Sequence, residues 1–196
     1  MRKIIAALQT SVDGFIEGPN GEVDWVESWE NPFDLLPQID TCILGRGMYA
    51  GYEQYWRAVL ANPKGILPFT GKVATEGEIA YSHFADQTPH IVLSKTLDKV
   101  AWKTTRIVRD LEEIRSLKQQ PGKDMYAVGG ATLVSSLMNL GLIDELRLIV
   151  HPLLLGGGKA LFRDVKERHP LKLLRTEPLT SGNVSLTYST QSEQPA

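Results

Sequence analysis

Cysteine is nearly missing from this chain. Cys42 is the only one in 196 residues, which excludes an intrachain disulfide and any zinc site built from several thiolates. It sits in Thr-Cys-Ile-Leu, an apolar strand sequence, so it reads as a buried thiol rather than a nucleophile, which would need an electropositive, partly exposed setting. His83, His90, His151 and His169 are the only histidines. They share no ligand spacing, and no metal is predicted. Neither sign of charge dominates: the formal net charge is −2, which gives no electrostatic case for nucleic acid or an anionic membrane. Long apolar runs are also lacking. The opening MRKIIAALQTSVDG holds an apolar stretch too short for a secretory or membrane segment, so a cytoplasmic protein is expected. Gly-x-Ser-x-Gly does not occur, which removes support for a serine hydrolase.

What is present is ordinary in bulk and specific in order. Hydrophobic residues make up 42% and charged residues 22%, globular values that predict one domain over residues 1–190 with a polar tail at 191–196. Residues 3–9 read as a first strand, continuous in apolar residues and therefore central in a sheet covered on both faces. Residues 10–30 carry Asp-Gly, Gly-Pro-Asn-Gly and two tryptophans, as an ordered functional loop would. Asn31-Pro32 has the form of an N-cap followed by proline, starting a helix that Pro37 keeps short. A strand at 41–44 leads into an aromatic segment, 48–60, that contains a helix. Residues 61–89 show several Gly and Pro and no sustained period; a mobile flap is expected there. Strands follow at 90–93 and 106–108, and Asp110 with Glu113 predicts a capping box for a helix running to about 120. A further strand spans 145–155, and 171–177 with 184–190 form a hairpin. Strands alternate with helices and then dominate, which implies an α/β sheet, parallel at first and antiparallel at its C-terminal end.

The run from Asp124 to Phe162 carries the most chemistry. Met125 to Val128 reads as a buried strand, and Leu133, Val134, Leu137, Met138 and Leu140 mark one face of a helix. Gly129-Gly130 falls between them. A helix starting there presents unpaired backbone N–H groups and a partial positive charge, and glycines let a pyrophosphate approach closely. The same dipeptide also suits a plain strand-to-helix turn. Two more strand ends carry glycine, basic or hydroxyl residues, at LGRGMY and VLSKT. In open α/β sheets ligands lie beyond the carboxyl ends of strands, so the three turns can face one cleft.

Together these turns resemble the dihydrofolate-reductase fold, a mixed, mostly parallel central sheet flanked by helices with antiparallel C-terminal strands. TSVDGFI with Asp24-Trp25, and GGATL…LGLIDELRL…PLLLGGGKALF, narrow the resemblance to the reductase domain of the bifunctional deaminase-reductase of riboflavin biosynthesis and its standalone relatives. The deaminase motif, His-x-Glu followed by Pro-Cys-x-x-Cys, is absent. The resemblance implies NADPH as cofactor, held by Gly45, Arg46, Gly47 and Met48, by Ser94, Lys95 and Thr96, and by Gly129, Gly130, Ala131, Thr132 and Leu133. Arg46 and Lys95 would favour NADPH over NADH by pairing the extra phosphate, or else are solvated surface charges.

It further implies hydride transfer to a small planar heterocycle, most like 5-amino-6-(5-phosphoribosylamino)uracil, in a homodimer formed through the C-terminal strands. Two departures bear on the substrate. The riboflavin-pathway reductase has an acidic residue immediately before the Gly-Gly turn, where this chain has Val128, and its arginine segment for the ribosyl phosphate has no counterpart at 49–57. Against dihydrofolate reductase itself, Glu30 and Asp34 give no convincing catalytic carboxylate. Asp13 is the candidate proton donor, or else a turn former before Gly14; donation at neutral pH would need a raised pKa. Ser11 contacts substrate or caps its loop, and Trp25 stacks on the heterocycle or packs in the core. Residues 156–158 are either part of the site or a plain strand-exit turn. Two other readings remain open: a non-catalytic nucleotide-binding module, and a flavin-related or pteridine reductase.

Overall fold

The structure, a computed structural model, describes residues 1–26, 33–67 and 70–191. Its centre is one eight-stranded sheet. In chain order the strands are β1 (Ile4–Ser11), β2 (Phe15–Glu17), β3 (Ile39–Gly45), β4 (His90–Leu93), β5 (Thr105–Val108), β6 (Asp124–Gly129), β7 (Glu145–His151), β8 (Lys159–Ala160), β9 (Lys172–Pro178) and β10 (Val184–Ser189). The helices are α1 (Arg46–Ala61), α2 (Glu76–Gln87), α3 (Leu111–Lys118) and α4 (Ala131–Asn139). The sheet runs β5-β4-β3-β6-β1-β7-β10-β9, and β2 with β8 forms a separate small pair. Pairing is parallel from β5 through β7 and antiparallel across β7, β10 and β9.

The apolar continuity of the central strands has a direct cause: both faces are covered. Along β1, Ile5 and Ala7 join one core with α1 and α2, while Ile4 and Ala6 join a second with α3 and α4. Strand β6 divides the same way, Tyr126 and Val128 against Met125 and Ala127. Side chains alternate across the sheet, so each strand feeds two cores. Leu133, Val134, Leu137 and Met138 of α4 are buried, each worth about 1.5–3 kcal/mol in transfer free energy. Leu140 lies past the end of that helix and is exposed. Cys42 is fully buried in the first core, and burial raises its thiol pKa well above the ordinary range.

Several boundaries differ from expectation for local reasons. The strand predicted over 145–155 stops at His151, just before Pro152. The capping box at Asp110 is half made: Asp110 accepts from Glu113 N, but Glu113 Oε1 accepts from Arg109 N rather than closing back on Asp110. A complete box forms instead at Thr75 and Glu78, inside the stretch expected to be a flap. It starts α2, which packs along α1. Ile66 pairs with Val73 in the turn before it. Asn31-Pro32, Glu30 and nearly all of the tail at 191–196 lie outside the described residues.

Candidate functional site

A cavity of about 1110 Å³ opens at the carboxyl ends of β1, β3, β4 and β6. Strand β6 is inserted between β3 and β1, and such a change in strand order leaves a crevice for ligands. The volume slightly exceeds the roughly 300–1,000 Å³ usual for single small-ligand sites.

One end is made of two helix starts. Gly45 caps α1 and Gly130 caps α4, and neither helix has a side-chain cap or an acidic residue in its first turn. Their first N–H groups are therefore left for an anion. The starts converge: a Cβ on Gly45 would lie 3.4 Å from Leu133 Cβ and 3.7 Å from Gly130 N. A Cβ on Gly130 would meet nothing within 4 Å and would project into open space. The Gly129–Gly130 peptide is cis.

The turn after β4 completes this end. Ser94 Oγ accepts from Leu97 N at 2.9 Å and Thr96 N at 3.3 Å, and Arg109 Nη1 holds the carbonyls of Ser94 and Leu97 at 2.9 and 2.8 Å. Ser94 thus shapes the turn while Lys95 and Thr96 stay exposed. Gly45, Arg46, Gly47 and Met48, Ser94, Lys95 and Thr96, and Gly130, Ala131, Thr132 and Leu133 all line the cavity. Gly129 lies just behind it, its φ of +136° and the 3.0 Å from a would-be Cβ to Met48 Sδ leaving no room for a side chain.

The opposite end has an aromatic wall that sequence reasoning missed. Tyr52, Tyr55 and Trp56 of α1, Tyr81 of α2 and Tyr126 of β6 line it. The i, i+3, i+4 spacing of the α1 aromatics was the available signal, whereas Tyr81 depended on the unrecognised Thr75–Glu78 box. Tyr52 Oη lies 3.1 Å from both Tyr81 Oη and His90 Nε2, and Trp102 stacks on His90 with ring centroids 5.1 Å apart. Burial pushes the His90 pKa down to about 4, although the Thr88 carbonyl on Nδ1 opposes this.

Ser11, Asp13 and Trp25 do not line the cavity. Ser11 Oγ donates to Asp13 Oδ1 at 2.6 Å and accepts from Phe15 N at 3.0 Å. Asp13 also accepts from Leu155 N at 3.2 Å and Gly156 N at 2.8 Å. The Ser11 hydroxyl is the largest influence and, with the two backbone donors, lowers the Asp13 pKa against the opposing effect of desolvation. A carboxylate stabilised as an anion is a poor proton source at neutral pH. Its visible work is to fasten the 11–15 turn to the 155–158 turn. Trp25 packs edge-on against His151, ring centroids 5.0 Å apart, and its Nε1 donates to Glu22 O.

The fastening makes a pH prediction. A lowered folded-state pKa contributes stability above the unfolded pKa, which is lost as pH falls through the folded value. Asp13→Asn should therefore be less stable than the parent at neutral pH, and the two should converge in acid below the ordinary aspartate range. Urea titrations across pH check this; a gap that persists in acid would show that charge is not the cause.

Among the described residues no group of three His, Cys, Asp or Glu side chains is placed to hold a metal ion, and no helix is long and apolar enough to cross a membrane. Sheet order and the cleft between two helix starts define a dihydrofolate-reductase-like protein. Within that class the chain belongs to the RibD C-terminal domain family, which it matches over residues 2–185. It is 40% identical to the uncharacterized protein YyaP of Bacillus subtilis (strain 168) over 190 residues, 95% of this chain and 94% of YyaP. Among solved structures it resembles the diaminohydroxyphosphoribosylaminopyrimidine deaminase/5-amino-6-(5-phosphoribosylamino)uracil reductase of Thermotoga maritima, with a TM-score of 0.65 and 15% identity, covering 96% of this chain and 56% of that one. It also resembles dihydrofolate reductase from Enterococcus faecalis complexed with NADP(H), with a TM-score of 0.60 and 18% identity over 95% of each chain.

Proposed function

We propose that this protein is an NADPH-dependent reductase acting on a small planar heterocycle, in reaction type most like 5-amino-6-(5-phosphoribosylamino)uracil reductase. The observation that carries this is the convergence of two uncapped helix starts, Gly45 and Gly130, at one end of a cavity with an aromatic wall at the other. NADPH, when bound, supplies the hydride. The N–H groups of α4 would hold the pyrophosphate, and Gly130 leaves space for it. Arg46 and Lys95, with the Ser94-shaped turn, would hold the adenosine phosphates. Tyr52, Trp56 and Tyr81 keep the far end apolar and exclude water from the reacting ring. The reading also includes a cytoplasmic homodimer, joined along the edge where every residue of β9 is exposed and Leu173 and Leu174 face outward.

Calorimetric titration of cofactor-free protein with NADPH and with NADH tests the reading. Tight binding with a preference for NADPH supports it, and substrates are then screened by loss of NADPH absorbance. No binding of either nucleotide overturns it. The phosphate assignment is separable. Arg46→Ala with Lys95→Ala should weaken NADPH at least about tenfold more than NADH, since two charge-assisted contacts are lost only for the former. Equal losses would contradict that role.

A further inference from the structure

Arg109 lies outside the cavity yet holds the turn that carries Lys95. It follows β5, the outermost strand at its edge of the sheet, and takes no part in the cavity lining. Its backbone N–H donates to Glu113 Oε1 at 2.8 Å, and Glu113 N donates to the Asp110 cap of α3, so the start of that helix fixes where the Arg109 side chain begins. From there Nη1 spends its two hydrogens on the carbonyls of Ser94, at 2.9 Å, and Leu97, at 2.8 Å.

These bonds divide the turn into two sides. Ser94 N donates to the Val108 carbonyl, continuing the β4–β5 pairing, and the Oγ of this buried serine accepts from Thr96 N and Leu97 N. The carbonyls of Ser94 and Leu97 face a residue outside the cavity, whereas Lys95 and Thr96 line it. Two acceptors that would repel a phosphate are held on one side, and the cation and hydroxyl that would bind it stand on the other. A lysine is a point charge on a flexible four-carbon stem and has little directional preference of its own. Its backbone must be placed for it, and a loop ordered before binding lowers the conformational cost of binding.

Resting on the NADPH reading above, we infer that Arg109 is the positioning residue for cofactor preference. It touches no part of the nucleotide and selects the 2′-phosphate by holding the Ser94–Leu97 turn in the conformation that presents Lys95 and Thr96. Arg109 is exposed, so replacing it leaves two carbonyls where water takes the place of the guanidinium. The loss falls on the order of the turn and not on the fold.

The test uses the adenosine half of the cofactor, 2′-phospho-ADP-ribose against ADP-ribose, titrated by calorimetry into the parent, Arg109→Met, Lys95→Ala and the double variant. The parent should prefer the phosphorylated probe by at least about tenfold. In Arg109→Met that preference should fall to within about threefold, with the affinity for ADP-ribose staying within about twofold of the parent value. Because Arg109 acts through the Lys95 turn, its removal from Lys95→Ala should change the preference by no more than about twofold. Losses that add in the double variant would show an independent contact with the phosphate and overturn the positioning role. An undiminished preference in Arg109→Met, or an equal loss of both probes, would overturn it too while leaving the cofactor reading in place. A parent that binds both probes equally, or binds neither, sinks the NADPH reading and this inference with it.

Discussion

Gly130→Asp is expected to abolish NADPH binding while leaving the fold intact or slightly more stable. The two effects come from the same atoms. Gly130 caps α4 with φ of −84°, which any residue adopts, and its Cβ would meet nothing within 4 Å. Aspartate is a favoured N-cap, better than glycine by a few tenths of a kcal/mol, because its carboxylate accepts the N–H groups of the first turn. Those are the groups a pyrophosphate needs, and the new charge would repel it. Affinity should fall by at least about 100-fold, with the melting temperature changed by no more than about 2 °C. Calorimetry and circular dichroism on one preparation check both. Unchanged affinity would remove the pyrophosphate from α4. Gly129→Ala is the contrasting variant: φ of +136° and Met48 Sδ at 3.0 Å make it a fold defect, costing roughly 1–3 kcal/mol.

The second large effect lies at the other end of the sheet. Lys118 Nζ and Asp144 Oδ2 are 2.5 Å apart, and each side chain is only 6% exposed. Asp144 also accepts from Ile4 N and Gln191 Nε2, both at 2.8 Å, while Lys118 donates to the Leu142 carbonyl at 2.9 Å. One carboxylate thus joins the start of β1, the approach to β7 and the end of α3. Asp144→Ala leaves a buried ammonium without its counter-charge, for which about 3–5 kcal/mol is expected. In a chain of this length that lowers the melting temperature by on the order of 10 °C. Removing both partners with Lys118→Met and Asp144→Leu should recover much of the loss. A single variant as stable as the parent would show that the pair is dispensable. Nucleotide affinity should not change, because the cavity opens at the opposite ends of these strands.

That the three glycine and hydroxyl turns line one cavity was legible because its determinants are local. Gly45-Arg46-Gly47, Ser94-Lys95-Thr96 and Gly130-Ala131-Thr132 each combine a strand end with a turn, and a strand end in an open α/β sheet points at the crevice wherever the strand falls in the order. The parallel-then-antiparallel sheet followed from the same alternation of elements. Asp13 and Ser11 were harder. The TSVDG motif marks a turn near the site, but whether a carboxylate faces a ligand or a backbone depends on the 155–158 turn, which arrives from far along the chain. The aromatic wall was hidden for a related reason. Tyr81 meets Tyr52 only because α2 packs along α1, and α2 itself starts from a capping box in a stretch whose Gly and Pro content masked its helical period.

The Asp13 fastening also orders events as the chain is made. Residues 39–133 contain both helix starts and the Lys95 turn, so the end of the cavity where the helix starts converge draws on one contiguous span. The far rim needs residues 7–26 to meet residues 153–161, and β1 lies between β6 and β7, both distant in sequence. Closing such separations is slow relative to local pairing. During synthesis β1 waits with both edges bare until β6 and then β7 emerge. Its apolar residues are the surface most in need of protection in the nascent chain.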